Sequence, residues 1–382
     1  MSAEEAGTAP PGPSAARWPS LLLAALAGAW VLWWVLPIAR DAAGPFPHDL
    51  CVPIRAARAW QLGLLHTGRI HDVDVDCGST GPFLYPTWVA ALWSMAWGHR
   101  TVAELRALVP GLVAWVEAAA LAVWVLRYRV RPTPWGLLAV GLVVVLLQRA
   151  LAGSAVHGNL DPVVHLAVAT ALLATRGGRP FLGGLACGLA TALKVFPFAL
   201  VLLAPRTRDE ARSFLAGTVA AVVASATLDL VLGGPLPFTG VRYGFEQALV
   251  SNGTSLVELA LAHELFDVPT AFAVWAATGV LLGGWWIWLR RRIGASDLTE
   301  ILGLIALVAL LPRSRIYYLA LAAGPAVALL AERPAARVVA VGLLLIMGTR
   351  DPSYAATWGV LMALLVTGLA DGTWRALRSS GT

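Results

Sequence analysis

Apolar runs follow one another along almost the whole chain, near residues 19–38, 83–98, 107–126, 135–151, 160–175, 181–204, 212–233, 269–289, 298–312, 316–331, 335–348 and 355–370, with almost no charge inside them. About 20 apolar residues cross a bilayer as a helix. Within lipid only helices and closed barrels satisfy their own backbone groups. A barrel would show weak alternating segments rather than continuous apolar stretches, so the runs predict an all-α, polytopic integral membrane protein. Several runs are short, and with tilt and mismatch allowed the pattern predicts a bundle of roughly ten to thirteen crossings. Composition agrees: 58% of the 382 residues are hydrophobic and 13% charged, far from soluble averages. No internal repeat and no soluble appendage interrupts the series. The expected organisation is a disordered cytoplasmic tail (1–17), one membrane domain (18–372) and a short cytoplasmic tail (373–382).

The first run is long, follows an acidic and proline-rich segment, and lacks a clear small-residue cleavage site, so it reads as a retained helix rather than a signal peptide. Basic residues favour the cytoplasmic side. That rule puts six groups there: Arg127, Arg129 and Arg131; Arg176 and Arg179; Arg206, Arg208 and Arg212; Arg290, Arg291 and Arg292; Arg333 and Arg337; Arg375 and Arg378. Two conflicts follow. If 83–98 and 107–126 both cross, the Arg127 group falls outside; either 83–98 stops short or the charge rule fails there. Residues 181–204 have basic groups at both ends, which fits a helical hairpin turning near Lys194 and Pro197; such breaks are tolerated where they line a cavity. The net charge of +6 sits in these groups at helix ends, so membrane lipids and not nucleic acid are the expected partners.

The 44 residues from Arg40 to Phe83 form a polar loop after the first run, with Asp41, Asp49, Asp72, Asp74 and Asp76. Loops this long in a compact protein are usually functional. An inside amino terminus and one crossing place it (39–82) outside the membrane. Asp49 precedes a short amphipathic segment (Ile54, Ala57 and Leu62 with Arg55 and Arg58) suited to the membrane surface. A carboxylate fixed at its start suits a general base acting on a lipid-linked substrate, and equally suits a helix cap. Asp72, Asp74 and Asp76 alternate with valines beside His71, a pattern for a divalent cation, though a solvated charge run is the commoner meaning. Cys51 and Cys77 share the loop, where a disulfide can form; two free thiols fit as well. Cys187 lies in an apolar run and reads as packing.

Ionisable groups inside apolar runs are expensive and mark function by default. Lys194 stands in Ala-Thr-Ala-Leu-Lys-Val-Phe-Pro-Phe, where Pro197 breaks the helix, so its ammonium faces an aqueous cavity or a buried anion such as a lipid phosphate. A salt bridge to Asp229 or Glu117, or snorkelling, would also accommodate it. His157, Gly158, Asn159, Asp161 and His165 form a polar group between two runs. They fit a hydrogen-bonding sugar site or a helix start better than a metal site. Arg313 and Arg315, in Leu-Pro-Arg-Ser-Arg-Ile-Tyr-Tyr, flank a further break and match phosphate oxygens, or anchor the chain at the membrane surface.

The order of these motifs resembles glycosyltransferase family 87, the actinobacterial polyprenyl-phosphate-sugar-dependent mannosyl- and arabinofuranosyltransferases of the GT-C fold. The resemblance runs from about residue 40 to 325. It rests on Asp49, Phe83-x-Tyr85-Pro86, Gly158-Asn159-Leu160-Asp161, Lys194-x-x-Pro197, Asn252-Gly253-Thr254-Ser255-Leu256 and Pro312-x-Ser314-x-x-Tyr317-Tyr318. The chain departs from the family pattern in having Asn159 and Asp161 where the family usually has Gln and Asn, and Arg315 and Tyr317 where it has Trp and His. The resemblance implies an inverting transfer at the extracytoplasmic face. Asp49 would be the base, Lys194, Arg313 and Arg315 would face the phosphate, and His157, Asn159, Asp161 and Tyr318 would line the substrate site. It also implies a polyprenyl-phosphate sugar donor, a glycolipid or polysaccharide acceptor and no cofactor; no metal ligand is assigned, and a lipid monophosphate donor makes a metal unnecessary in principle. A transporter or flippase of a lipid-linked sugar is the rival class; it would more often carry paired repeats with breaks in both halves.

Overall fold

The computed structural model describes residues 18–41, 48–64, 85–157, 159–232, 267–309, 311, 316–347 and 354–378. All regular structure among them is helical. In order these are α1 (Trp18–Asp41), α2 (His48–Gln61), α3 (Thr87–Trp97), α4 (Val102–Arg127), α5 (Pro134–Leu146), α6 (Gln148–His157), α7 (Asp161–Arg176), α8 (Pro180–Leu193), α9 (Leu200–Leu203), α10 (Arg208–Val231), α11 (Val268–Ile293), α12 (Asp297–Ala309), α13 (Ala323–Glu332), α14 (Pro334–Met347) and α15 (Tyr354–Arg378). Short 3₁₀ turns at Phe196–Ala199 and Ile316–Ala322 lead into α9 and α13. The chain is an all-α polytopic membrane protein. Among the described residues four helices are long and apolar enough to cross a bilayer unaided, within α1, α4, α10 and α11, and a fifth span results if the bent pair α13 and α14 counts as one.

Burial ranks these helices. Half of the apolar window of α4 is covered by protein, against 6% for α11, so α4 is central and α11 faces lipid. Trp124 of α4, 1% exposed, stacks on Tyr128 with ring centroids 5.7 Å apart. Gly324 of α13 lies so close over Trp124 that a β-carbon there would overlap the indole. α8 and α10 meet the same way. A β-carbon on Gly184 would collide with the Phe214 carbonyl, one on Gly188 with that of Thr218, and one on Gly217 with that of Phe181. Gly184 and Gly188 are four residues apart on one face, and small residues at this spacing let backbones approach where lipid offers no hydrophobic drive to associate.

Ion pairs define one end of the bundle. Asp297, at the start of α12, accepts from Arg127 at 3.2 Å, from Arg176 at 3.7 Å and from Arg206, and Glu300 one turn on pairs with Arg127. Arg290 donates to the carbonyls of Leu202 and Pro205 beside them. Arg333 and Arg375 share Asp371 at 3.3 and 3.2 Å, next to Gly372, which faces Leu289 and Leu302. Arg337 stacks on Trp135 at the start of α5. Each of the six basic groups singled out in the sequence therefore sends at least one arginine to the same end.

Both topological conflicts resolve against this end. α1 runs antiparallel to α4, with Gly28 facing Ala118 and Leu36 facing Gly111, so α1 ends at the pole opposite Arg127. α3 has only 11 residues, about 16 Å of helix, and its first turn meets Asp229 near the far end of α10. It sits at the opposite pole and does not cross, which leaves Arg127 with the other arginines. α2 joins it there: Ile54 packs with Leu105 and Val109 of α4 and with Trp93 and Trp97 of α3. Residues 181–204 leave and return to the arginine end, since Arg176 before them and Arg206 after them both reach Asp297. The hairpin expected at Lys194 and Pro197 is present.

Candidate functional site

Lys194 is the first residue past α8, in extended conformation, and the turn Phe196–Ala199 begins the way back. Pro197 has no N–H to continue the helix. The break strands carbonyls that lipid cannot satisfy, and one of them, that of Pro197, receives the buried Cys187 thiol at 3.4 Å. Cys187 thus closes the hairpin as well as packing in it.

The tip of the hairpin delivers Lys194 to the start of α7. Its Nζ lies 3.4 Å from Oδ1 of Asp161 and 5.8 Å from the Tyr85 ring centroid. Asp161 is fully buried, Lys194 about a quarter exposed. Asp161 stands fifteen residues before Arg176, about 22 Å along the axis of α7, so the pair lies deep in the bundle, away from the arginine end. Its partner is Asp161 and neither of the two carboxylates the sequence suggested. Asp229 instead accepts from the Trp88 amide at 3.3 Å, capping α3, whose preceding residue Pro86 supplies no side-chain cap, while the Trp88 indole donates to Ser225 at 2.7 Å. Glu117 sits 2.9 Å from Nδ1 of His165, both fully buried.

His165 is one turn beyond Asp161 on the same face of α7. Glu117, His165, Asp161 and Lys194 therefore make a band of ionisable groups across α4, α7 and the hairpin. Asn159 lies two residues before α7: its Oδ1 accepts the Asp161 amide at 3.1 Å, and Pro162 follows in the first turn, the helix start expected at this position. Nδ2 of Asn159 and Nε2 of His165 are buried with no hydrogen-bond partner among the described residues. Two unspent nitrogens beside a lysine can receive the oxygens of a polar ligand. The pairing of Glu117 with His165 escaped the sequence reading, although a lone glutamate within an apolar run was signal enough.

The other expected site residues stand apart from this picture. Asp49 lies in the first turn of α2 at the pole opposite the arginines, but its side chain is outside the described residues, as are those of Cys51, His157 and Tyr318. Cys77, Arg313, Arg315 and the aspartates at 72, 74 and 76 are outside them altogether. Among the described residues no three His, Cys, Asp or Glu side chains converge as metal ligands.

In a helical membrane bundle a lysine, two carboxylates and a histidine at depth are costly, and they mark this band as the candidate functional site. The model of glycosyltransferase family 87 matches residues 83–314, more than half of the chain, and the chain belongs to that family. No curated protein matches it. The matched stretch holds Tyr85, Glu117, Asn159, Asp161, His165, Lys194 and Arg313; Asp49, Arg315 and Tyr318 fall outside it. As a glycosyltransferase the protein moves a sugar from a donor to an acceptor.

Proposed function

We propose that the protein transfers mannose or arabinofuranose from a polyprenyl-phosphate donor to a lipid-linked or polysaccharide acceptor, at the extracytoplasmic face and with inversion. The observation that carries this reading is Lys194, held on the buried Asp161 at the tip of a broken hairpin, a partly exposed cation on the side of the bundle away from the arginines. By the basic-inside rule the arginine end is cytoplasmic, so α2 and Asp49 face outward. Lys194 then projects toward the outer half of the membrane, where the phosphate of a lipid donor would lie.

In this mechanism Asp49 takes the proton of an acceptor hydroxyl. The oxygen attacks the anomeric carbon, and the bond from that carbon to the phosphate oxygen breaks as polyprenyl phosphate departs with the electron pair. The leaving phosphate is a weak base and needs charge stabilisation more than a proton. Lys194, with Arg313 or Arg315, supplies it as preorganised positive charge. His157, Asn159, Asp161 and Tyr318 hold the sugar and acceptor hydroxyls. No step calls for a metal or a cofactor.

The test uses membranes containing the full chain and a radiolabelled polyprenyl-phosphate sugar. Label passing into a new glycolipid is the expected result, and Asp49→Asn lowers its rate by about a hundred- to ten-thousandfold with insertion and donor binding intact. Label that only changes leaflet, or near-normal turnover of Asp49→Asn, would refute the assignment.

A further inference from the structure

The arginine end contains a second polar cluster, apart from Lys194 and Asp161. A cavity of about 370 Å³ opens between the end of α11 and the return arm of the hairpin, lined by Arg206, Trp286, Ile287, Arg290, Arg291 and Ala295. Its charge is not neutralised. Asp297 and Glu300 face Arg127, Arg176 and Arg206. Arg290, whose two terminal nitrogens go to the carbonyls of Leu202 and Pro205, has no carboxylate at ion-pair distance among the described residues. Arg291 and Arg292 next to it are exposed. Glu210 adds a third carboxylate beside Arg206, whose amide it accepts at 2.7 Å, so six arginines meet three carboxylates and an excess of three positive charges remains.

Depth identifies the ligand. Trp285, Trp286 and Trp288 immediately precede Arg290, Arg291 and Arg292, and a belt of tryptophans followed by arginines marks the boundary between acyl chains and headgroups. Trp286 is fixed by its indole N–H, which donates to the Thr299 carbonyl at 2.7 Å, and its face carries the Arg290 guanidinium at 5.1 Å. Ile287 and Leu202, 47% and 69% exposed, stand on the lipid side. The cavity is therefore cationic at headgroup level with an apolar outer wall, and guanidinium groups match phosphate oxygens. We propose that it binds the phosphodiester headgroup of an anionic membrane phospholipid, with the acyl chains along Ile287 and Leu202. The ligand is a lipid and not a free phosphate, because the apolar wall has nothing to offer an inorganic anion.

The test is native mass spectrometry of the full-length protein, titrated in detergent with phosphatidylglycerol or with phosphatidylcholine. Phosphatidylglycerol is expected to be retained preferentially, and Arg291→Gln to weaken it about fivefold, the factor that roughly 1 kcal/mol per basic residue at the membrane surface gives. Arg291 is exposed, so the substitution leaves folding intact; an unchanged unfolding midpoint in phosphatidylcholine verifies this. Arg212→Gln, at the same end but outside the cavity and paired with Asp209, is expected to leave retention unchanged. Equal retention of the two lipids, equal effects of the two substitutions, or displacement of phosphatidylglycerol by millimolar inorganic phosphate would each overturn the assignment.

Discussion

Replacing Lys194 by Met tests both the architecture of the hairpin tip and its chemistry. Breaking a buried ion pair by removing one partner costs about 3–5 kcal/mol, because the other charge stays buried. Two features reduce that here. Lys194 is 23% exposed while Asp161 is 1% exposed, so part of the attraction is already screened. Asp161 also stands in the first turn of α7, where the helix dipole stabilises a carboxylate by about 0.3–1 kcal/mol. The expected loss for Lys194→Met is then about 2–3 kcal/mol, a shift of roughly 30- to 150-fold in the folding equilibrium. Unfolding of the full-length protein in mixed micelles with rising dodecyl sulfate, followed by tryptophan fluorescence, measures it. Lys194→Met combined with Asp161→Asn removes both charges and is expected to return stability to within about 1 kcal/mol of the parent. Transfer should not return with it, since preorganised charge on a leaving group is typically worth about a hundred- to a thousandfold. If the double variant recovers transfer, Lys194 serves only to neutralise Asp161 and the proposed role on phosphate is wrong. If the single variant unfolds no more readily than the parent, the pair does not hold the hairpin tip.

The same unfolding assay checks three further expectations. Gly184→Ala drives a methyl group into the Phe214 carbonyl and should cost about 1–3 kcal/mol by forcing α8 off α10; an unchanged midpoint would show that the helices can separate freely. Arg127→Met leaves Glu300 buried without its arginine and should cost about 3–5 kcal/mol, most of it recovered when Glu300→Leu is added. Asp229→Ala uncaps α3 and should cost about 1 kcal/mol, whereas Asp229→Asn keeps an acceptor oxygen and should cost less.

The long helices were legible because their signal is local. An apolar stretch of about 20 residues with charges only at its ends has few alternatives, and α1, α4, α10 and α11 coincide with such runs. The hairpin was legible for a related reason. Prolines alone do not stop a helix here, since Pro37 and Pro110 lie inside α1 and α4, but Pro197 beside a lysine in an apolar run marked a break, and arginines at both ends of 181–204 already implied a return. What could not be read was which charge meets which. Lys194 had three candidate carboxylates along the chain, and the other two found partners of their own: Asp229 the Trp88 amide at the start of α3 and Glu117 the His165 ring, while Asp161 meets Lys194. Nothing in the separations of 33, 35 and 77 residues between Lys194 and these three favours one of them.

The run at 83–98 shows the opposite failure. Its composition is that of a membrane span, and only the charge rule, applied to an arginine group thirty residues downstream, argued against a crossing. The fold sides with the rule. α3 stops at Trp97 because Gly98 and the Thr101 capping box of α4 follow directly, and a capping box that satisfies two orphan amides starts a new helix as firmly as a proline ends one. Keeping α3 at the pole opposite the arginines has a consequence for the site. Tyr85 is held close by the neighbouring Trp88, whose amide donates to Asp229, and its ring centroid lies 5.8 Å from the Lys194 ammonium. The short helix that looked like a failed span is what brings an aromatic ring near the Lys194 ammonium.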